Sequence, residues 1–202
     1  MPIQEIFRKI IHLSSLCYPL FYLLTNNKAL VLVMTGSIFL TVLLIDIFRI
    51  FNKSVNDVFC KYLKFTIREN EKKGFTGSTY FMCGTFFTIL LFPRDIAIVS
   101  LCVLVISDTC ASVVGISIGR VKIVGSKSLE GTLAFFISAL TVSYFGWVYF
   151  GLLPYLLFIS SFVTTIMELF NKQLKCDDNI LIPIGFASVY LFAEIIVIVF
   201  IP

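Results

Sequence analysis

Seven apolar stretches, residues 10–24, 29–45, 78–92, 96–118, 132–150, 153–169 and 180–201, follow one another along this chain. A hydrocarbon core about 30 Å thick takes roughly 17–25 apolar residues per helix. Inside it every backbone N–H and C=O must find a partner within the protein, which a helix provides from its own segment. The pattern therefore predicts an all-α integral membrane protein, a polytopic bundle of about seven transmembrane helices. The first and third stretches are short, which leaves six crossings open. A mean hydropathy of +0.98 with 58% hydrophobic residues excludes a soluble domain, whose surface would have to be largely polar.

Charge sets the expected orientation. With the amino terminus in the cytoplasm, fourteen of the sixteen Lys and Arg residues fall on inside segments, and only Lys28 and Arg94 fall outside. The longest polar connection, 51–75, interleaves Val55, Val58, Phe59, Tyr62 and Phe65 with Lys61, Lys64 and Arg68. It reads either as an interfacial amphipathic helix or as a solvated linker helix, with an exposed, flexible tail over 68–74. Arg8 and Lys9 precede an apolar run with no small-x-small cleavage site, so a retained first span is expected. Six cysteines without a C-x-x-C pair, and His12 as the one histidine, form no zinc set. No basic tract interleaved with aromatics suggests a nucleic-acid partner.

The chemistry gathers over 108–131. At about 100° per residue, Asp108, Ser112, Gly115 and Gly119 share one helical face. An ionisable residue on such a face is a site candidate, although Gly115 and Gly119 also form the small-xxx-small spacing by which membrane helices pack. A short loop follows with Arg120, Lys122, Lys127, Ser126, Ser128, Gly125 and Gly131. Cations, hydroxyls and free amides are what phosphate oxygens require, and the spacing is not that of a Walker A loop.

Asp108, Ala111, Gly115 and Gly119, followed by Lys127, Ser128, Glu130, Gly131 and Thr132, resemble the family of CTP-dependent lipid kinases. That family includes dolichol kinase, phytol kinase and the fungal CTP-using diacylglycerol kinase. Arg8, Lys9 and His12, the pair Thr76 and Gly77, and Glu168 with Asp177, Asp178, Asn179 and Pro183 agree with it. The resemblance implies that 1–202 is a single lipid kinase-like transmembrane domain. It would use a nucleoside triphosphate, CTP, to phosphorylate the hydroxyl of a polyprenol, an isoprenoid alcohol or diacylglycerol at a site facing the cytoplasm.

For phosphoryl transfer Asp108, Lys127 and Asp178 are the expected catalytic residues. Ser112, Gly115, Gly119, Arg120, Lys127, Ser128, Glu130 and Gly131 would bind phosphate or nucleotide. Asp108, Asp177 and Asp178 would hold Mg²⁺, an ion commonly bound by one or two carboxylates plus substrate phosphates. Plainer roles stand beside these: Lys127 as a positive-inside anchor, and 177–179 as a turn capping the last helix. A phosphatidate cytidylyltransferase is the second reading, disfavoured because the chain has neither a Lys-Asp pair nor a His-Gly-Gly ending. A transporter or scaffold is the third, and no second half of the chain echoes Asp108.

Overall fold

The structure, a computed structural model, describes residues 3–63, 66–67 and 69–200. Among the described residues ten α-helices follow in order: α1 Ile3–Ser14, α2 Cys17–Thr25, α3 Lys28–Phe51, α4 Lys53–Tyr62, α5 Gly77–Leu91, α6 Arg94–Cys102, α7 Asp108–Ser117, α8 Leu129–Phe150, α9 Pro154–Leu169 and α10 Asp178–Phe200. A π-helical turn, Val103–Ser107, joins α6 to α7 without a break. Among the described residues four helical segments are long and apolar enough to cross a membrane: α3, the continuous Arg94–Ser117, α8 and α10. α5 and α9 are shorter apolar helices. The expected all-helical membrane architecture is present, with the first stretch broken into α1 and α2 at Ser15 and Leu16.

Local chemistry sets the ends. Asn27 caps α3, its side chain accepting the Leu30 N–H at 3.0 Å. Asn52 closes α3 and caps α4, which stops one long helix from running on. Gly151 takes a positive φ of 68° at the end of α8, a conformation that costs glycine little, and Pro154 opens α9.

The Arg94–Ser117 span lies at the centre: 67% of its apolar window is buried, against 17% for α3. α8 packs along α7, α9 along α8, and α10 between α9 and α5, with α3 outside α5. The core runs from Tyr22 and Val31 through Leu101, Val103 and Leu104 to Phe135, Leu156, Ile182 and Phe186. Small residues set the closest approaches. A Cβ on Gly131 would stand 2.9 Å from the Ala111 carbonyl oxygen and 3.2 Å from the Gly115 Cα, so α7 and α8 meet there nearly backbone to backbone.

Two parts of the sequence reading are corrected. The loop after α7 folds into an antiparallel hairpin, β1 Lys122–Val124 with β2 Lys127–Ser128, turned by Gly125 at φ 57°. The supposed flexible tail is pinned: Glu69–Lys73 forms a 3-10 turn held by a fully buried Arg49. Its guanidinium donates to Asp46 Oδ1 at 2.6 Å, Asn56 Oδ1 at 3.0 Å, and the carbonyls of Glu71 and Gly74 at 3.1 and 2.5 Å. It also lies 5.0 Å from the centre of the Phe59 ring. The other Asp46 oxygen accepts the Thr76 N–H, the Thr76 hydroxyl and the Thr79 hydroxyl at 2.7, 2.9 and 2.6 Å. The expected amphipathic helix is represented by α4. Lys64, Phe65 and Arg68, and Ile201 at the end of the last predicted span, lie outside the described residues.

Candidate active site

The central helix delivers its first charge where the π-helical turn ends. Asp108 is buried at the start of α7, and α1 lies alongside it. Lys9 Nζ donates to Asp108 Oδ2 at 2.6 Å, and His12 Nε2 stands 3.6 Å from the same oxygen. α1 is strongly amphipathic in reverse. Ile6, Phe7, Ile10 and Ile11 face outward, while Lys9 and His12, one turn apart, face the bundle. A buried carboxylate needs compensating donors, and here they come from the other end of the sequence.

Lys127 leaves β2 and pairs with Glu168 at the end of α9, donating to both its carboxylate and its main-chain carbonyl. Ser128 caps α8, its Oγ accepting the Gly131 N–H at 3.2 Å. Asp177 Oδ1 accepts the Asn179 N–H at 3.0 Å and its side-chain amide at 2.8 Å, so the capping role read for this turn is realised.

These ends enclose one cleft of about 950 Å³. Asp108, Lys127, Asp177 and Asp178 line it together, with Ser112, Gly115, Gly119, Ser128 and Gly131. Four lysines, Lys122, Lys127, Lys172 and Lys175, face the same space, and Lys172 bridges to Ser126 Oγ at 3.2 Å. Beside it, burial and then the Asp177 and Asp178 carboxylates push the Cys176 thiol above its ordinary pKa. Every contributing element ends or begins here, whereas Lys28 and Arg94 sit at the far end, bonded to the carbonyls of Phe92 and Leu23.

Several expectations change in detail. Gly119 lies just beyond α7, packed against the Gly115 carbonyl and Ser128, rather than on the helical face with Asp108. The Gly131 amide already serves the Ser128 cap. Glu130 accepts the main-chain N–H groups of Arg120 and Val121 at 3.0 and 3.2 Å. It braces the loop, and neither it nor Arg120 is among the residues lining the cleft. Among the described residues no group of three or more His, Cys, Asp and Glu side chains stands ready to hold a metal ion. Asp177 and Asp178 offer the hard oxygens that suit Mg²⁺ beside a bound polyphosphate, but Asp108 is already engaged by two basic groups.

Sequence reasoning left Lys172, Lys175 and Asn171 out of the site and brought in Lys9 and Glu168 only through the family resemblance. Lys9 carried a signal, since it shares the narrow polar stripe of α1 with His12. The two loop lysines looked like ordinary inner-face cations.

No protein-family model matches the chain, and no solved structure matches it. An uncharacterised protein of Rickettsia prowazekii is 33% identical over 184 residues, 89% of both chains. The CTP-dependent diacylglycerol kinase 1 of Schizosaccharomyces pombe is 32% identical over 135 residues, 58% of this chain and 60% of that enzyme. That of Eremothecium gossypii is 35% identical over 101 residues, 49% of this chain and 32% of its own length. The chain thus spans about three-fifths or less of these fungal kinases. A third fungal enzyme of the same name, from Saccharomyces cerevisiae, is 29% identical over 152 residues, 73% of this chain and 51% of its own length, so the chain is similar to CTP-dependent diacylglycerol kinases over part of their length.

Proposed function

We propose that residues 1–202 form a single membrane domain that transfers the γ-phosphoryl group of CTP to the hydroxyl of a membrane alcohol. Diacylglycerol is the first acceptor to test, because the named fungal relatives are diacylglycerol kinases. A polyprenol or other isoprenoid alcohol is the alternative acceptor. The observation that carries this reading is the single cleft in which Asp108, Lys127, Asp177 and Asp178 meet at one end of the bundle. By the positive-inside distribution that end is the cytoplasmic one, where nucleotide is available.

In the reaction the acceptor oxygen bonds to the γ-phosphorus and the bond from the γ-phosphorus to the β–γ bridging oxygen breaks. CDP leaves with that oxygen, and the hydroxyl proton passes to a base. Charge spread over the transferring group is stabilised by positioned cations, here Lys127 with Lys122 and Lys172. Asp108, held by Lys9, orients the incoming hydroxyl from the bilayer side. Asp177 and Asp178 would hold Mg²⁺, which neutralises phosphate charge when bound.

Lys127 is paired with Glu168 before nucleotide enters. Binding therefore exchanges a carboxylate for a phosphate, without creating an unpaired buried cation. The test is purified protein in lipid micelles with Mg²⁺ and CTP labelled at the α- or the γ-phosphate. Label should reach lipid from the γ-position only. Release of pyrophosphate would mean cytidylyl transfer instead, and neither product would mean that the protein is no kinase.

A further inference from the structure

Resting on that reading, we infer that Phe75 and Tyr80 form the platform on which the nucleotide's base stacks, and that Asn171 reads the amino edge of that base. The lysines of the cleft account for phosphates, and the Asp108 end accounts for an alcohol. Two aromatic rings in the same polar cleft are left over. They stand edge to face, with centroids 6.3 Å apart and planes at 86°. Phe75 is 37% exposed, although its neighbour Thr76 is buried.

The strap carrying Phe75, just before the α5 helix that carries Tyr80, is held at both sides of the ring. Phe75 lies between Gly74, whose carbonyl takes the Arg49 guanidinium, and Thr76, whose amide and hydroxyl both bind Asp46. A fully buried Arg–Asp pair is strongly destabilising unless its remaining donors and acceptors are satisfied. Those partners are supplied here by the strap itself. The result is a ring fixed before any ligand arrives, and preorganisation lowers the ordering cost of binding.

A second observation points to a ligand independently. Asn171 Oδ1 is enclosed with no hydrogen-bond partner among the described residues, and Asn171 lines the same cleft. A buried acceptor left unpaired is costly. Cytosine carries an exocyclic N4 amino group that donates, which a carboxamide oxygen accepts. Phe75 and Tyr80 would thus supply sequence-tolerant stacking and Asn171 the discrimination.

The test uses full-length protein in lipid nanodiscs with Mg²⁺, measuring the binding of CTP, UTP and inorganic tripolyphosphate. Phe75→Leu should weaken CTP about tenfold, as expected for one lost stacking contact, and leave tripolyphosphate unchanged. Phe75→Trp should restore CTP binding, and Asn171→Leu should narrow the preference for CTP over UTP. If Phe75→Leu binds CTP as tightly as wild type, Phe75 is a membrane-interface anchor and the platform is overturned. Equal binding of CTP and tripolyphosphate by a wild type that still transfers γ-label overturns the base subsite alone. A wild type that transfers no label overturns the kinase reading beneath it.

Discussion

Two ion pairs dominate the cleft, Lys9 with Asp108 and Lys127 with Glu168, and each joins residues far apart in the chain. Asp108→Asn keeps the shape of the side chain but loses the charge that holds Lys9. Turnover should fall by at least about 100-fold, the scale on which positioned acid–base groups act, with membrane insertion intact in a flotation assay. Lys127→Met should cost a similar factor through lost charge stabilisation, and near-normal activity in either variant removes that residue from the site. That Asp108 belongs with the polar cleft was legible because a carboxylate is rare in apolar sequence, while Lys127 and Asp178 stood out by the residue types around them. Their partners were not legible. One sequence fixes which residues share a helix face, but which helix faces which is decided by packing across 99 residues for Lys9 and Asp108 and 41 for Lys127 and Glu168.

At the level of elements, the apolar period located the helices well, and the misses have physical causes. The break between α1 and α2 falls where Pro19, in the first turn of α2, can neither donate to the Ser15 carbonyl nor avoid crowding it, a cue that the apolar run around it hid. The hairpin of 122–128 is too short to show alternation, and Gly125 alone marked its turn. The π-helical turn before Asp108 leaves no trace in hydropathy at all. The small-xxx-small spacing of Gly115 and Gly119 marked a packing face without naming its partner, and it is Gly115 with Gly131 that meet at the α7–α8 contact while also lining the cleft. Gly131→Val would push bulk against the Ala111 carbonyl and Gly115. Thermal unfolding in detergent should register a loss of about 1–3 kcal/mol, accompanied by reduced turnover because the Ser128 cap moves with α8.

For the molecule as a whole, the cleft lies at the end where the lysines gather. The two expected outside cations lie at the opposite end from the site. A single cysteine replacing Lys122, in a background where native cysteines are blocked, should react with an impermeant maleimide only in inverted vesicles or permeabilised cells. Labelling from the outer face of intact cells would reverse the bundle and remove the nucleotide supply from the cleft. The overall class was readable because bilayer thickness imposes a single length scale on the sequence. The number of crossings was less so, since α1 and α2 together, α5 and α9 fall near or below that length.

Asp108 lies nine residues before the end of α7, about 13 Å inward along the axis at the helical rise. An uncharged alcohol can sit at such a depth, but the phosphate dianion that the proposed reaction would make from it cannot do so cheaply. Each turnover would therefore generate its own eviction force, with the newly ionised headgroup drawn up toward water while its tails stay in oil.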